Sequence, residues 1–255
     1  MTTTLRTGAV PEAPFRLEIE GRHETPWSCT PEHLEALVMG WLLAEGYLEA
    51  GDSPPVVQAF EDDGLFGARV SLPPERLARV DVEREHRRVH GCGLLHFVRC
   101  DPSRIQTRDA AGQVPSGADF SDLFREIYAA AEQYRDTGGM HSAALSDGTR
   151  LYGRVEEVGR HNAVDKVIGR ALLDGRRLAE LGLVVTSRVS GEIAYKAARA
   201  GLGWIATRSV PTTLALAIAG TAGIPIVVRA AGKGAAIYAP GAAVPTPLLG
   251  QEARP

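Results

Sequence analysis

Cysteine and net charge are both scarce in this sequence of 255 residues. Its three cysteines, Cys29, Cys92 and Cys100, are an odd number and lack the spacing of a zinc site. This indicates neither a disulfide framework nor a bound metal, and it favours a reducing, cytoplasmic location. The formal net charge of -3 gives no broad basic surface, so duplex nucleic acid is not an expected partner. A small anionic ligand remains compatible with this composition.

A continuous apolar run long enough to cross a membrane is also missing. Residues 1–14 lack a basic stretch followed by an apolar core, so they predict a flexible tail and no secretory signal. Residues 210–228 carry no charge over 19 positions, but two prolines and two glycines divide them. Each piece is shorter than the about 20 residues that a span needs, so we expect a buried helix, a buried strand and no membrane contact.

The amino-terminal half predicts one strong helix among short strands. Leu34, Leu37, Val38, Trp41 and Leu42 form one apolar stripe at helical spacing. Before the stripe, Thr30 is the expected N-cap with Pro31 at the first helical position, and after it Gly46 is the expected end. Alternating runs between residues 51 and 90, including LFGARVSL and ARVDVE, predict strands of a small sheet.

The carboxy-terminal half alternates strands with helices. HSAALSDGTRLYGRVEEVG predicts a hairpin with Asp147 and Gly148 at its turn. Helices predicted near 162–174, 190–200 and 211–220 alternate with the apolar runs LGLVVTS, GWIAT and IPIVVRA. This order is typical of an α/β fold in which helices cover a sheet. We therefore expect a smaller, mostly β N-terminal lobe at 15–118, an α/β core at 119–239, and flexible tails at 1–14 and 240–255.

Polar residues collect where three of these helices are expected to start. They are Arg160 and His161 before the first helix, Ser187, Arg188 and Ser190 before the second, and Arg208, Ser209, Thr212 and Thr213 around the third. Helix starts favour anions, and strand ends that feed helices lie on one edge of the sheet, so the three groups could form a phosphate pocket. For each group alone, a solvated helix cap is an equally good interpretation. Asn162 with Asp165 resembles a capping arrangement.

Over most of residues 15–239 the sequence resembles the formate dehydrogenase accessory sulfurtransferase family, FdhD. The matching stretches are TPEHLEALVMGWLLAEGYL, TGGMHSAAL, EEVGRHNAVDKVIG, TSRVSGEIAYKAARAG and RSVPTTLALAIAGTAGIPIVVRA. The resemblance implies a fold like the cytidine deaminases, a mixed sheet flanked by helices with an added smaller lobe, usually as a homodimer. It also implies transfer of sulfur from a cysteine desulfurase to a molybdenum cofactor in its guanine dinucleotide form, for formate dehydrogenase or a related molybdoenzyme.

The resemblance and the helix-start argument give one set of candidate site residues. Cys92 is the candidate sulfur-carrying residue. The candidate residues for binding the cofactor, or a GDP-like nucleotide, are His141, Arg160, His161, Asn162, Asp165, Lys166, Ser187, Arg188, Ser190, Ser209 and Thr212.

The cysteine motif of the family is incomplete here. Members typically carry CGxCG, whereas the matching segment RRVHGCGLLHF, residues 87–97, contains only Cys92. If Cys92 is the first cysteine of the motif, the second position is Leu95; if Cys92 is the second, the first position is Val89. One thiolate suffices to take over a sulfur atom, and nearby arginines and His90 favour the thiolate. Cys29 and Cys100 are expected to pack as small apolar residues.

Two other functions remain open from the sequence. The chain could be a different enzyme that uses Cys92 as a nucleophile with His141 or His161 as the base, or a protein that binds a nucleotide-bearing cofactor without chemistry. Zinc-dependent deamination is not expected because the sequence lacks His-x-Glu and Pro-Cys-x-x-Cys motifs. A serine hydrolase is not expected because no Gly-x-Ser-x-Gly motif occurs.

Overall fold

The computed structural model describes residues 8–20, 22–23, 27–49, 51–80, 105 and 112–247. These residues form two mixed sheets with helices packed on them. The predicted loop that carries Cys92 lies outside the described residues, as does Cys100.

The smaller sheet belongs to the amino-terminal half. Its strands are β1 (Ala13–Ile19), β2 (Arg22–His23), β3 (Trp27–Cys29), β4 (Val57–Asp62) and β5 (Leu65–Val70). They are ordered β2-β1-β5-β4, and β3 also pairs with β1. Strands β1 and β5 are parallel, while the other pairs are antiparallel. Two helices accompany this sheet, α1 (Leu34–Glu45) and the short α2 (Pro74–Leu77).

The larger sheet has seven strands in the order β12-β11-β10-β9-β8-β6-β7. They are β6 (His141–Ser146), β7 (Leu151–Glu157), β8 (Gly182–Val185), β9 (Trp204–Thr207), β10 (Ile226–Val228), β11 (Ala236–Tyr238) and β12 (Thr246–Pro247). The central strands β8, β9 and β10 are parallel, and the outer pairs are antiparallel.

Helices cover both faces of the larger sheet. They are α3 (Phe120–Ala129), α4 (Glu132–Thr137), α5 (Arg160–Leu173), α6 (Gly191–Arg199) and α7 (Thr213–Ala222), with a 3-10 turn at Leu178–Glu180. Helix α3 packs on one face, where the ring centroids of Phe120 and Trp204 lie 5.6 Å apart in an edge-to-face arrangement. Val164 of α5 and Ile193 of α6 pack on the other face. The predicted mixed sheet flanked by helices, beside a smaller and mostly β lobe, is confirmed.

Two glycines let α1 of the smaller lobe cross α5 in close contact. A Cβ atom on Gly169 would lie 1.8 Å from the carbonyl oxygen of Ala36, and one on Gly40 would lie 2.0 Å from the carbonyl oxygen of Asp165. No larger residue fits at either position. The crossing joins Phe15 and other residues of the smaller sheet to Val164 of α5 in one buried cluster. Helix α5 is therefore packed between α1 of the smaller lobe and the larger sheet.

Several predicted boundaries are wrong. Helix α1 begins at Leu34 after His33, whose φ of 55° is left-handed, so Thr30 is not its cap. The end at Gly46 is confirmed, with φ 93°. The predicted strand ARVDVE is not formed at residues 78–80, which follow α2, and its remainder lies outside the described residues.

Residues 210–228 divide into α7 and β10 as predicted. Among the described residues, no helix is long and apolar enough to span a membrane.

Candidate functional site

The loops that lead into α6 and α7 lie side by side at the carboxyl ends of β8 and β9. The Val189 amide donates to the Val210 carbonyl at 3.2 Å, and the Thr212 amide donates to the Val189 carbonyl at 2.9 Å. Thr207, at the end of β9, donates its hydroxyl proton to the Ser187 carbonyl at 2.6 Å and accepts from the Ser209 amide at 2.9 Å. These bonds place the Ser187, Ser190, Ser209 and Thr212 segments next to one another.

The amino end of α5 joins the same edge. His161 Nε2 lies 3.0 Å from Ser190 Oγ, across the gap between α5 and α6. His141 reaches this edge through β6, because its neighbour Ser142 donates its amide to Thr186 Oγ1 at 3.0 Å. The three helix starts that the sequence singled out are therefore neighbours in space, together with His141.

The hydroxyl groups in this cluster serve as caps. Ser190 Oγ accepts from the Ile193 amide at 3.4 Å, and Thr212 Oγ1 accepts from the Ala215 amide at 3.2 Å. Ser187 is nearly buried and donates to the Arg188 carbonyl at 3.1 Å. Arg188, Arg208 and Thr212 are exposed. The edge thus combines ordinary capping with exposed cationic side chains, an arrangement that accepts an anion.

The start of α5 differs from the capping arrangement that the sequence suggested. The N-cap is Gly159, so Arg160 and His161 form the first turn of the helix instead of preceding it. Asn162 Nδ2 donates to the Ser28 carbonyl at 2.9 Å, which ties α5 to strand β3. Asp165 does not cap the helix either, because its side chain lies in the interior. The predicted cap formed by Asn162 and Asp165 is wrong.

Asp165 begins a row of charged groups between α5 and α6. It forms a buried ion pair with Lys196, whose Nζ lies 3.8 Å from Glu192 Oε1. Glu192 Oε2 in turn lies 3.2 Å from His161 Nε2. Burial raises the pKa of Asp165 to about 6 despite the opposing Lys196 charge. Burial also raises the pKa of Glu192, against the opposing charges of Lys196 and Arg160.

Lys166 faces the other way, towards the smaller lobe. It is fully buried and forms an ion pair with Glu157, the last residue of β7. Its Nζ also donates to the Thr30 carbonyl at 2.8 Å, while the Thr30 amide donates to Glu157 Oε1 at 2.9 Å. The structure therefore places Lys166, like Asp165, in the interior and not on the edge with the other candidate residues.

His141 and Arg160 complete the cluster. His141 is half-buried, and its pKa is lowered mainly by burial and further by the Arg160 charge, with Glu157 opposing. Arg160 Nε has no hydrogen-bond partner among the described residues. That nitrogen is enclosed, so Arg160 can contact an anionic ligand only through its terminal nitrogens, while the His141 ring offers one N–H donor.

Cys29 is excluded as a nucleophile by its surroundings. It is fully buried, and burial raises the pKa of its thiol to about 12. This confirms the prediction that it packs in the core. In the described part of the chain, no group of His, Cys, Asp and Glu side chains could hold a metal ion.

The sequence interpretation missed Glu157, Glu192 and Lys196. Each left a signal: Glu157 follows buried Val155 at strand alternation, and Lys196 lies on the apolar face of α6 between Ile193 and Ala197. Glu192 lies one helical turn before Lys196, the spacing of a helical ion pair. A charge inside an apolar pattern indicates a buried partner.

Comparisons with known proteins agree with this architecture. A profile of the FdhD/NarQ family matches residues 10–244. The chain is 31% identical over 214 residues to a protein of Bacillus subtilis named sulfur carrier protein FdhD, covering 82% of this chain and 80% of that protein. A Staphylococcus haemolyticus protein of the same name is 29% identical over 211 residues, covering 82% and 79% of the two chains.

A solved structure shares the fold. It is described as a proposed formate dehydrogenase accessory protein of Desulfotalea psychrophila, with a TM-score of 0.66 and 24% identity over 91% of this chain and 87% of that one. The family match covers nearly the whole chain, including the three adjacent helix starts and every strand except β12. The chain therefore belongs to the FdhD/NarQ family.

Proposed function

We propose that this chain is a sulfur carrier for a formate dehydrogenase or a related molybdoenzyme. It takes sulfur from a cysteine desulfurase onto Cys92 and delivers it to a molybdenum cofactor that bears guanine dinucleotides. The observation that carries the proposal is the match along residues 10–244 to a family with curated relatives named sulfur carrier protein.

The choice of Cys92 rests on chemistry and on elimination. Cys29 is enclosed in the core, and its raised pKa keeps it as a thiol at neutral pH. Cys92 is flanked by Gly91 and Gly93 and follows Arg87 and Arg88, residues that favour access and a thiolate. Cys100 has apolar neighbours Phe97 and Val98 in the sequence.

The loading step needs one thiolate and no external oxidant. The Cys92 thiolate attacks the outer sulfur of the desulfurase persulfide, forming a new sulfur–sulfur bond. The old sulfur–sulfur bond breaks, and its electron pair leaves on the desulfurase cysteine as a thiolate. Cys92 then carries the outer sulfur as a persulfide. A second cysteine could release the sulfur by forming a disulfide, but Leu95 or Val89 stands at that position. Release then follows when the acceptor bonds to the outer sulfur, the sulfur–sulfur bond breaks, and its electron pair leaves on Cys92 as a thiolate.

The edge formed by the starts of α5, α6 and α7 fits the phosphates of the cofactor. Arg160 is half-buried in the first turn of α5, and Arg188 and Arg208 are exposed beside the caps of α6 and α7. Guanidinium groups and helix amides are the usual ligands of pyrophosphate. We therefore assign binding to Arg160, His161, Arg188 and the neighbouring hydroxyls, with His141 at the rim, and not to the buried Asp165 and Lys166.

Intact-mass measurement tests the sulfur step. The protein is incubated with a cysteine desulfurase and cysteine, and we expect a gain of one sulfur atom that a reductant removes. Cys92→Ser should abolish the gain, whereas the matched control Cys100→Ser should retain it. Loading of Cys92→Ser to the wild-type level would contradict the proposed role of Cys92.

Binding of guanosine diphosphate tests the second half of the proposal. We expect Arg188→Ala to weaken binding about tenfold, through loss of a charge-assisted hydrogen bond, and the exposed Lys233→Ala to leave it unchanged. Nucleotide binding without sulfur loading would favour a binding protein that performs no chemistry. Loss of both would favour a different enzyme on this scaffold.

A further inference from the structure

Four side chains between α5 and α6 form a ladder of alternating charge, here called the α5–α6 ladder: Asp165, Lys196, Glu192 and His161. His161 and Asp165 lie one helical turn apart on α5, and Glu192 and Lys196 lie one turn apart on α6. Each residue contacts its neighbour on the facing helix or one turn away, in that order. The amino ends of two helices are therefore linked by polar contacts that run along one interface.

The four side chains of the ladder become more buried from His161 to Asp165. The exposed fraction of the side chain is 20% for His161, 10% for Glu192, 5% for Lys196 and 2% for Asp165. The inner end is a buried ion pair, and an unpaired charge at this depth would cost several kcal/mol, so Lys196 is held against Asp165. The outer end is a histidine at the start of α5, beside Ser190 and Arg160. The buried Asp165–Lys196 pair therefore contacts Glu192, and Glu192 contacts His161 at the rim.

The contact between Glu192 and His161 also bears on which ring nitrogen of His161 carries the proton. Glu192 Oε2 lies 3.2 Å from His161 Nε2, and because a carboxylate only accepts hydrogen bonds, this contact favours a proton on that nitrogen. Ser190 Oγ, 3.0 Å from the same nitrogen, already accepts from the Ile193 amide as the cap of α6. Because acid and hydroxyl both meet Nε2, the three residues do not form a hydrolase triad, in which the acid contacts the opposite ring nitrogen.

We infer that Glu192 is a positioning residue for His161: it fixes the proton on Nε2 and the orientation of the ring, and the Lys196–Asp165 pair fixes Glu192. The functional part of this inference rests on the proposed nucleotide site, which includes His161. Outer hydrogen-bond partners of this kind set the tautomer and direction of an imidazole that works on a ligand. The other charged groups around this corner are Arg160 of α5 and, on the β6–β7 hairpin, His141 and Glu157.

Nuclear magnetic resonance of the ligand-free protein tests the inference directly. With nitrogen-15-labelled histidine at about pH 8, where an ordinary imidazole is neutral, we expect His161 as the Nε2–H tautomer with a slowly exchanging ring proton. Glu192→Ala should remove that proton signal. Glu192→Gln should retain it, because the amide oxygen still accepts. Glu180→Ala, which removes an exposed pair with Arg177, is the matched control and should change nothing at His161.

Nucleotide titration supplies the functional readout. We expect Glu192→Ala to weaken binding of guanosine diphosphate about tenfold and Glu192→Gln to restore most of it. An unchanged His161 proton signal in folded Glu192→Ala protein would overturn the inference. If the signal is lost as expected but the wild-type protein binds no nucleotide, the inference about Glu192 stands and the proposed nucleotide site fails. Circular dichroism confirms that each variant is folded.

Discussion

Asp165 and Lys166 are consecutive on α5, both are buried, and both form ion pairs, yet their surroundings differ. Lys166 pairs with Glu157, and Thr30 bonds both members, so this pair is enclosed by hydrogen bonds between the two lobes. Asp165 pairs with Lys196, and its Oδ1 has no hydrogen-bond partner within the described part of the chain; Lys196 in turn contacts Glu192, which lies nearer the rim. The comparison indicates that the Lys166–Glu157 pair stabilises the packing of the two lobes, whereas the Asp165–Lys196 pair is the inner end of the α5–α6 ladder that reaches His161.

The largest effect expected from this comparison is on Lys166. Lys166→Met leaves the Glu157 carboxylate buried without its cation, so we expect the free energy of unfolding to fall by about 3–5 kcal/mol. Urea denaturation measures it. The double change Lys166→Met with Glu157→Leu removes both charges and should recover most of the loss. A loss below about 1 kcal/mol in the single variant would contradict the structural role assigned to this pair.

A smaller, pH-dependent effect is expected at Lys196. Burial raises the pKa of Asp165 to about 6, so the folded state holds a proton there more tightly than the unfolded state. Stability from this group is complete below the ordinary carboxyl pKa and is lost as pH rises towards 6. Lys196→Met should raise this pKa further, so the loss of stability extends to higher pH.

At neutral pH, Lys196→Met should therefore cost about 1–2 kcal/mol, and near pH 5 the difference from the wild type should narrow. Urea denaturation across this pH range measures both values. Lys233→Met, at an exposed lysine, is the control. A cost that stays the same at both pH values would show that Asp165 does not take up a proton.

The smallest expected effect distinguishes the role of Ser190 as a helix cap from its contact with His161. Ser190→Ala and Thr212→Ala each remove the N-cap of one helix, so each should cost about 1 kcal/mol in thermal unfolding. Of these two residues, Ser190 is the one that forms a hydrogen bond with His161, so Ser190→Ala should shift the His161 ring signals more than Thr212→Ala does. Equal shifts in both variants would indicate a general loosening of the edge and not a specific contact.

Prediction from sequence succeeded where a pattern was local. The stripe of α1, the hairpin turn at Asp147 and the caps Ser190 and Thr212 depend on residues within one or two turns of each other. Asp147 Oδ1, for example, accepts the amides of Thr149 and Arg150, three residues away at most. The three helix starts were also found, because an α/β alternation already implies that strand ends share an edge.

Prediction failed where a polar residue had two possible uses. Asn162 and Asp165 have the spacing of a helix cap, and Thr30 before Pro31 has the composition of one. In the structure Asn162 bonds Ser28, and Thr30 bonds Val158 and Pro11 through its hydroxyl. These partners are distant in the sequence, so no local rule identifies them.

The sequence by itself determined most of the helices and strands, the hairpin turn at Asp147 and the set of polar residues at the helix starts, because backbone geometry and apolar periodicity act over a few residues. Only the tertiary structure decided which of those residues reach the surface. It turned Asp165 towards Lys196 and Lys166 towards Glu157 because a buried charge is tolerated only beside its counter-charge, and those counter-charges arrive on separate elements. The glycine crossing of α1 on α5 and the contact of His161 with Glu192 likewise join residues that are distant in the sequence.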